Sequence, residues 1–319
     1  MNSAIVTGAT GFIGSALVRE LIDNNINVLA LGRKSWNEVE GKRLKNSPLL
    51  TYLKIGMEEI DLLDKKINEI GWQANGECVF FNFAWGGVEK LSDLDIDAQM
   101  KNVYWSANAL IVSSKLKCNK FIHVGTMEEA FTNKYLELDY RINSEYNRHV
   151  IYSVAKLASR DVLKMISYQH GVNLIIGTNS HVMGPNDDKD SFLQVTLEKL
   201  INKEDLIFST GEQYFDVISV KDCARAYYYI AKYGKQRSEY WIGSGNPKKL
   251  KEYVEIMYSL YPSSKEMQFG KMPYNDIKLE ARDFDIENLV SDTKFFHTQS
   301  YEETVHELFD WLMLRRTQS

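Results

Sequence analysis

The chain has 319 residues, 44% of them hydrophobic and 25% charged, and its 38 basic and 43 acidic side chains give a net charge of -5. Such a composition is globular, and its mild acidity without a basic stripe argues against a nucleic-acid surface. No segment approaches the roughly 18 apolar residues that cross a bilayer, and the amino terminus lacks the basic start and long apolar run of a secretion signal.

In chain order, "AIVTG" (4–8), "NVLALG" (27–32), "LTYLKI" (50–55), "CVFFNFA" (78–84), "KFIHVG" (120–125) and "NLIIGT" (173–178) read as strands. Each is apolar on both faces, as a parallel sheet covered by helices requires. Helical periodicity fills the intervals with "SALVRELIDN", "DLLDKKINEI", "QMKNVYWSANALIVSSKL" and "YSVAKLASRDVLKMISYQH". The alternation predicts right-handed βαβ units: an α/β fold with a doubly wound parallel Rossmann sheet. After residue 178, Pro185, Pro247, Pro262 and Pro273 break the pattern. The expected division is a dinucleotide-binding domain over 1–178, to which 212–243 returns, and a smaller mixed α/β substrate lobe from 179–211 and 244–319. The three cysteines, Cys78, Cys118 and Cys223, are too few and too scattered for a disulfide framework or a metal site, so a cytoplasmic protein without a bound metal is expected.

"TGATGFIG" joins the first strand to the first helix. Gly8, Gly11 and Gly14 permit a tight turn and close approach to a pyrophosphate. Phe12 and Ile13 between them open a helix whose free N–H groups face that anion. "YSVAK" places Tyr152 and Lys156 on one side of a helix. Alone, that spacing fits an amphipathic surface as well as an acid/base pair. A neighbouring ammonium stabilises a phenolate, so the pair is expected to lower the tyrosine pKa from its usual value near 10.

Together "TGATGFIG" and "YSVAK" resemble the extended short-chain dehydrogenase/reductase family of nucleotide-sugar epimerases, dehydratases and reductases. Looser matches run through "FNFAWGG", "FIHVGTMEEAF", "HVMGP", "DVISVKDCARAYYYI" and "YWIGSG". The resemblance implies that Tyr152 exchanges the proton, Lys156 also holds the nicotinamide ribose, and Thr126 hydrogen-bonds the reacting oxygen. It implies cofactor contacts at the glycine loop and Ala84, and substrate contacts at Trp85, Met127, Glu128 and His181. Glu128 stands where 4,6-dehydratases carry the base for sugar carbon 5, but Met127 replaces the acid that expels water. Glu129 reads as a helix-start or solvated carboxylate, His123 as a buried or boundary strand residue, and Asn102 as a backbone bridge. A second strand ending in an acid would favour NAD; here "ALGRKS" puts Arg33 and Lys34 where a 2′-phosphate would sit, which favours NADP(H), with NAD(H) possible.

Two arginines that grip the pyrophosphate in relatives are replaced by Phe215 and Asn275, leaving Arg282, Lys271 or Lys189 as substitutes. Relatives pair through the two long helices, so a homodimer is expected. The expected partner is a small-molecule sugar nucleotide, with no nucleic acid and no membrane. The expected reaction is reduction of a 4-keto-6-deoxyhexose on a nucleotide; a 4-epimerase or 4,6-dehydratase is the alternative, and a non-catalytic dinucleotide sensor a remote one.

Overall fold

The structure, a computed structural model, describes residues 1–87, 94–139, 141, 149–187 and 191–318. Its first half runs β1 (Ser3–Thr7), α1 (Phe12–Asp23), β2 (Asn27–Gly32), α2 (Trp36–Val39), β3 (Leu50–Lys54), α3 (Leu63–Ile70), β4 (Cys78–Asn82), α4 (Ile96–Lys115), β5 (Lys120–Thr126), α5 (Glu128–Leu136), α6 (Val150–His170) and β6 (Leu174–Asn179). Then come β7 (His181–Met183), α7 (Phe192–Asn202), β8 (Leu206–Ile207), β9 (Tyr214–Phe215), β10 (Val217–Ser219), α8 (Val220–Tyr233) and β11 (Glu239–Ile242). The chain ends with β12 (Lys248–Lys249), α9 (Leu250–Leu260), β13 (Met267–Gln268), α10 (Glu287–Thr293) and α11 (Tyr301–Gln318).

Seven strands form one sheet in the order β11-β6-β5-β4-β1-β2-β3, and every pairing in it is parallel. Alternation of side chains sends Ala4 and Val6 into one core with α1 and α8, and Ile5 into another with α4 and α6. Strands that must satisfy both layers are apolar at most positions, and β1, β4 and β6 are buried throughout, including their polar residues Ser3, Thr7, Asn82, Thr178 and Asn179. The edge strand β3 departs from the expectation of a buried run: it is half-buried, because it has a neighbour on one side only. At the opposite edge β11 supplies a seventh strand in addition to the six expected, and its first residue, Glu239, is exposed. A separate apolar core joins α7, α9 and α11 through Leu193, Leu197, Val254, Met257, Val305 and Leu308. Cys78 and Cys118, far apart in sequence, meet at the base of the sheet with their sulfurs 3.9 Å apart and remain thiols, as does Cys223.

The order of strands reverses between β1 and β4, so the connections leaving these two neighbours run to opposite sides. That divergence opens a crevice at the carboxyl ends, the usual ligand position in open α/β sheets. The loop leaving β1 lies against the crevice. Gly8 has φ +64°, and a Cβ there would come within 2.8 Å of the Ala84 nitrogen and the Phe83 carbonyl carbon. At Gly14, in the first turn of α1, a Cβ would sit 2.2 Å from the Gly8 oxygen. Both glycines are set by backbone against backbone, where no side-chain movement gives relief.

Gly8→Ala therefore combines a left-handed φ with a steric conflict and is expected to destabilise the fold by about 1–3 kcal/mol. Urea unfolding checks this; a change within about 0.5 kcal/mol, as for an ordinary surface substitution, would contradict it.

Candidate active site

The crevice is a cavity of about 920 Å³ lined by Gly8 and Gly11 from the glycine loop, Arg33 and Lys34 after β2, Ala84 and Trp85 after β4, and the start of α4. Gly14 packs behind the loop, and Phe12 and Ile13 turn into the core beside α1 rather than onto the cavity wall. Arg33 and Lys34 are exposed at its outer end, and the Lys34 carbonyl accepts a hydrogen bond from the Tyr52 hydroxyl at 2.7 Å. Arg43 reaches over to the Asn186 carbonyl, so the segments after α2 and β7 meet at the rim. These residues suit a dinucleotide. Bare glycine backbone and the start of α1 face the place of a pyrophosphate, and the basic pair can take a further phosphate.

One hydroxyl organises the divergence. Thr7 Oγ1 donates to Asn82 Oδ1 at 3.0 Å and accepts the N–H groups of Phe83 and Ala84, each at 3.1 Å. Asn82 Nδ2 in turn donates to His123 Nδ1 at 3.1 Å, leaving His123 Nε2–H to donate to Ser159 Oγ at 3.4 Å. The buried polar chain thus runs from the glycine loop through β4 and β5 to α6. Burial, with Lys156 and Arg160 nearby, holds the His123 pKa well below its ordinary value, consistent with this neutral tautomer.

Beyond Ala84 the chain is fixed by α4. Asn102 accepts the Gly86 N–H at 2.8 Å and donates to the Gly86 carbonyl at 2.9 Å, the backbone bridge expected of it. Trp85 Nε1 donates to Gln99 Oε1 at 2.8 Å. The indole forms an edge with Tyr152 (ring centroids 6.1 Å, 88°), and Lys156 Nζ lies 3.8 Å over its face. Trp85 therefore stands between the cavity and the Tyr152–Lys156 pair.

Lys156 also donates to the Val124 carbonyl of β5 at 2.9 Å. Thr126, ending β5, lies near the Tyr152 phenol and acts to lower its pKa. Those three residues are thus brought together. The electrostatics differ from the expectation of a lowered tyrosine pKa: Tyr152 is pushed well up. Burial is the largest cause, opposed by Thr126 and reinforced by the Glu128 and Glu129 carboxylates. The lysine ammonium is 5.9 Å from the phenol ring centroid and turned toward Val124 and Trp85, so desolvation prevails. A phenol in this state keeps its proton.

Both glutamates open α5, and both are buried. Glu128 accepts from His149 Nδ1 at 2.8 Å. Glu129 lies at a helix start, as one of its two expected readings has it, but it is not solvated. Its Oε2 pairs with Arg160 (Nε 2.7 Å, Nη2 2.6 Å), and its Oε1 accepts the Thr126 N–H at 2.9 Å. Met127 joins Phe131, Ile277, Leu279 and Phe284 in an apolar cluster. His181 stands edge-on to Phe215 with centroids 6.2 Å apart, and its Nε2 is shielded without a hydrogen-bond partner among the described residues. Phe215 is thus an apolar wall where an arginine was looked for. Asn275, Lys271 and Arg282 are exposed, Arg282 paired with Glu280, and Lys189 lies outside the described residues. Sequence reasoning missed His149 and the Arg160 pairing. Their signal was present, since both lie within two or three turns of Tyr152 along α6.

Among the described residues no group of His, Cys, Asp and Glu could hold a metal ion, and no helix is long and apolar enough to cross a membrane. Comparison with known proteins agrees with the geometry. A family model described as the NAD dependent epimerase/dehydratase family matches residues 4–243. A putative UDP-glucose 4-epimerase of Methanocaldococcus jannaschii is 25% identical over 258 residues, covering 79% of this chain and 80% of that protein. A dTDP-glucose 4,6-dehydratase of Haemophilus influenzae is 24% identical over 282 residues, or 82% of each chain. The crystal structure of a Thermotoga maritima UDP-glucose 4-epimerase with UDP-glucose has the same fold, with a TM-score of 0.77 at 19% identity over 99% of this chain and 100% of that one.

Burial also pushes His181 down to about 4. Unfolded histidines titrate near 6.5, so between about 4 and 6.5 the unfolded chain binds more protons than the folded one. The stability from a neutral His181 is complete above about pH 6.5 and is lost as the pH falls toward 4. Urea unfolding of the His181→Asn variant is expected to show a shallower loss between these limits than the parent; an identical slope would contradict it.

Proposed function

The chain belongs to the NAD dependent epimerase/dehydratase family, and on that premise we propose that it reduces carbon 4 of a nucleotide-activated 4-keto-6-deoxyhexose. Bound NADPH supplies the hydride. The protein's own part is to present the glycine loop and Lys156 to the dinucleotide, Arg33 and Lys34 to its 2′-phosphate, and two hydroxyls to the sugar carbonyl. Thr126 orients the carbonyl oxygen, and Tyr152 donates the proton that the new alkoxide needs. Trp85, Met127, Glu128 and His181 contact the sugar nucleotide, and residues 179–211 and 244–319 form the lobe over it. The observation that carries this reading is that Tyr152 and Lys156 of α6 pack against Trp85 at the cavity and Lys156 is tied to the end of β5, two residues before Thr126.

One observation favours a second reading, 4,6-dehydration: the Glu128–His149 contact at 2.8 Å offers a carboxylate base with an imidazole beside it. Against it, Met127 cannot donate a proton to a departing hydroxyl. We further infer a cytoplasmic homodimer, since exposed Tyr104 on α4 and Met165 and Tyr168 on α6 give these packed helices an apolar outer face.

A panel of sugar nucleotides followed at the nicotinamide absorbance band and by mass spectrometry tests the reaction. Stoichiometric NADPH consumption with a 4-keto-6-deoxy sugar nucleotide is expected; a product lighter by one water without added NADPH would establish the second reading instead. Calorimetric titration should show tighter binding of NADP(H) than NAD(H), with Arg33→Ala weakening NADP(H) selectively; equal affinities would sink the preference. Tyr152→Phe should leave cofactor binding intact and lower turnover by about 10²–10⁴-fold; near-normal turnover would remove Tyr152 from the mechanism.

A further inference from the structure

We propose that the buried Glu129–Arg160 pair is a positioning device that sets Thr126 against Tyr152, and so governs turnover without touching substrate or cofactor. The proposal rests on the reading of Thr126 and Tyr152 as the groups that meet the reacting oxygen. Two hydroxyls from different elements, the end of β5 and the first turn of α6, must converge on one atom. Misplacement by about 1 Å can cost 10²-fold in rate, so something must tie those elements together.

The strand ladder alone does not hold the end of β5. Successive N–H groups of a strand point to opposite neighbours. Met127 gives its N–H to β6, at the Asn179 carbonyl 2.9 Å away, so Thr126 faces the β4 side. The β4 register ends with Asn82 opposite His123, three residues short of Thr126. The Glu129 carboxylate takes the place of the missing strand and accepts the Thr126 N–H at 2.9 Å.

Its other oxygen is gripped by Arg160, which lies eight residues after Tyr152 and four after Lys156 on the same helix. The guanidinium is itself fixed. Nη2 donates to Thr178 Oγ1 of β6 at 2.8 Å, and Nη1 pairs with Glu239 of β11, whose other oxygen holds Lys164 at 2.6 Å. The Glu129 side chain is 4% exposed and that of Arg160 12%, so the pair is shielded and its fork geometry well defined. Gly125 shows how closely the strand end fits around it. A Cβ there would meet Glu129 Oε1 at 2.8 Å, Arg160 Nη2 at 3.1 Å and Thr178 Oγ1 at 3.2 Å. The residue before Thr126 is bare because the ion pair occupies the space. From Thr126 through Glu129 to Arg160, β5 and α6 are joined by directional bonds on the side where their hydroxyls meet.

The test is a double-mutant cycle of Glu129→Ala and Thr126→Val, with kcat and KM read at the nicotinamide band. Glu129→Ala is expected to lower kcat by about 10–10²-fold with cofactor affinity kept, and to cause no further loss in the Thr126→Val background. Equal losses in both backgrounds would mean a general structural role and overturn the proposal. Arg160→Lys, which keeps the charge and loses the fork, covers the case in which Glu129→Ala does not fold; it should show a smaller kcat loss that Thr126→Val again abolishes. If no sugar nucleotide is turned over, the proposed reaction fails, and amide exchange still decides this point. Exchange at Thr126 should quicken in either variant while Val124 keeps its protection, and an unchanged Thr126 rate would overturn the positioning role.

Discussion

The arrangement of the site depends on where β1 and β4 part. Two neighbouring parallel strands send their chains to opposite sides of the sheet, and their last backbone N–H groups lose ladder partners. Thr7 supplies the replacement acceptor: its hydroxyl takes both the Phe83 and the Ala84 N–H and spends its own proton on Asn82. That fixes the backbone against which Gly8 must pack without a Cβ, and hence the path of the glycine loop on one side. On the other side it fixes the start of the segment that carries Trp85 to Lys156. The same Asn82 continues through His123 to Ser159, so the helix bearing Tyr152 is held to the strand end that shapes the cofactor cavity.

The second determinant is desolvation. Glu128, Glu129 and Lys156 are buried and Tyr152 half-buried, and a charge there is stabilised only if a partner faces it directly. The glutamates have such partners in His149 and Arg160. For the phenol, desolvation and the two carboxylates outweigh the opposing effect of Thr126, so it holds its proton. This chemistry suits an acid that delivers a proton to an oxygen gaining negative charge.

The fold was legible in sequence because its strands serve two cores and its glycines answer backbone collisions, both local in cause. Boundaries held within a few residues; α1 starts at Phe12 and α4 at Ile96, ahead of their apolar stripes, because helix starts are set by the preceding loop. β11 and the half-buried β3 were harder to read, since edge strands carry a weaker apolar signal. In the site, the family resemblance singles out Thr126, and the resemblance together with helix spacing singles out Tyr152 and Lys156. The structure sets Thr126 at the end of β5 and the other two in the first two turns of α6. The direction of the tyrosine shift did not follow, because a helix spacing shows that Lys156 can face Tyr152 but not that Val124 and Trp85 claim its ammonium. Glu129 and Arg160 are 31 residues apart, and only the packing of α6 on the end of β5 joins them.

The central claim is that the protein conducts a hydride one way, from cofactor to sugar carbon 4, while Tyr152 supplies the proton. NADPH deuterated on the transferred position, incubated with a 4-keto-6-deoxy sugar nucleotide, tests it directly by mass spectrometry and NMR. The account predicts one deuterium at carbon 4 of the product for each NADPH consumed. A product free of deuterium, or one formed without any consumption of the nucleotide, would contradict it.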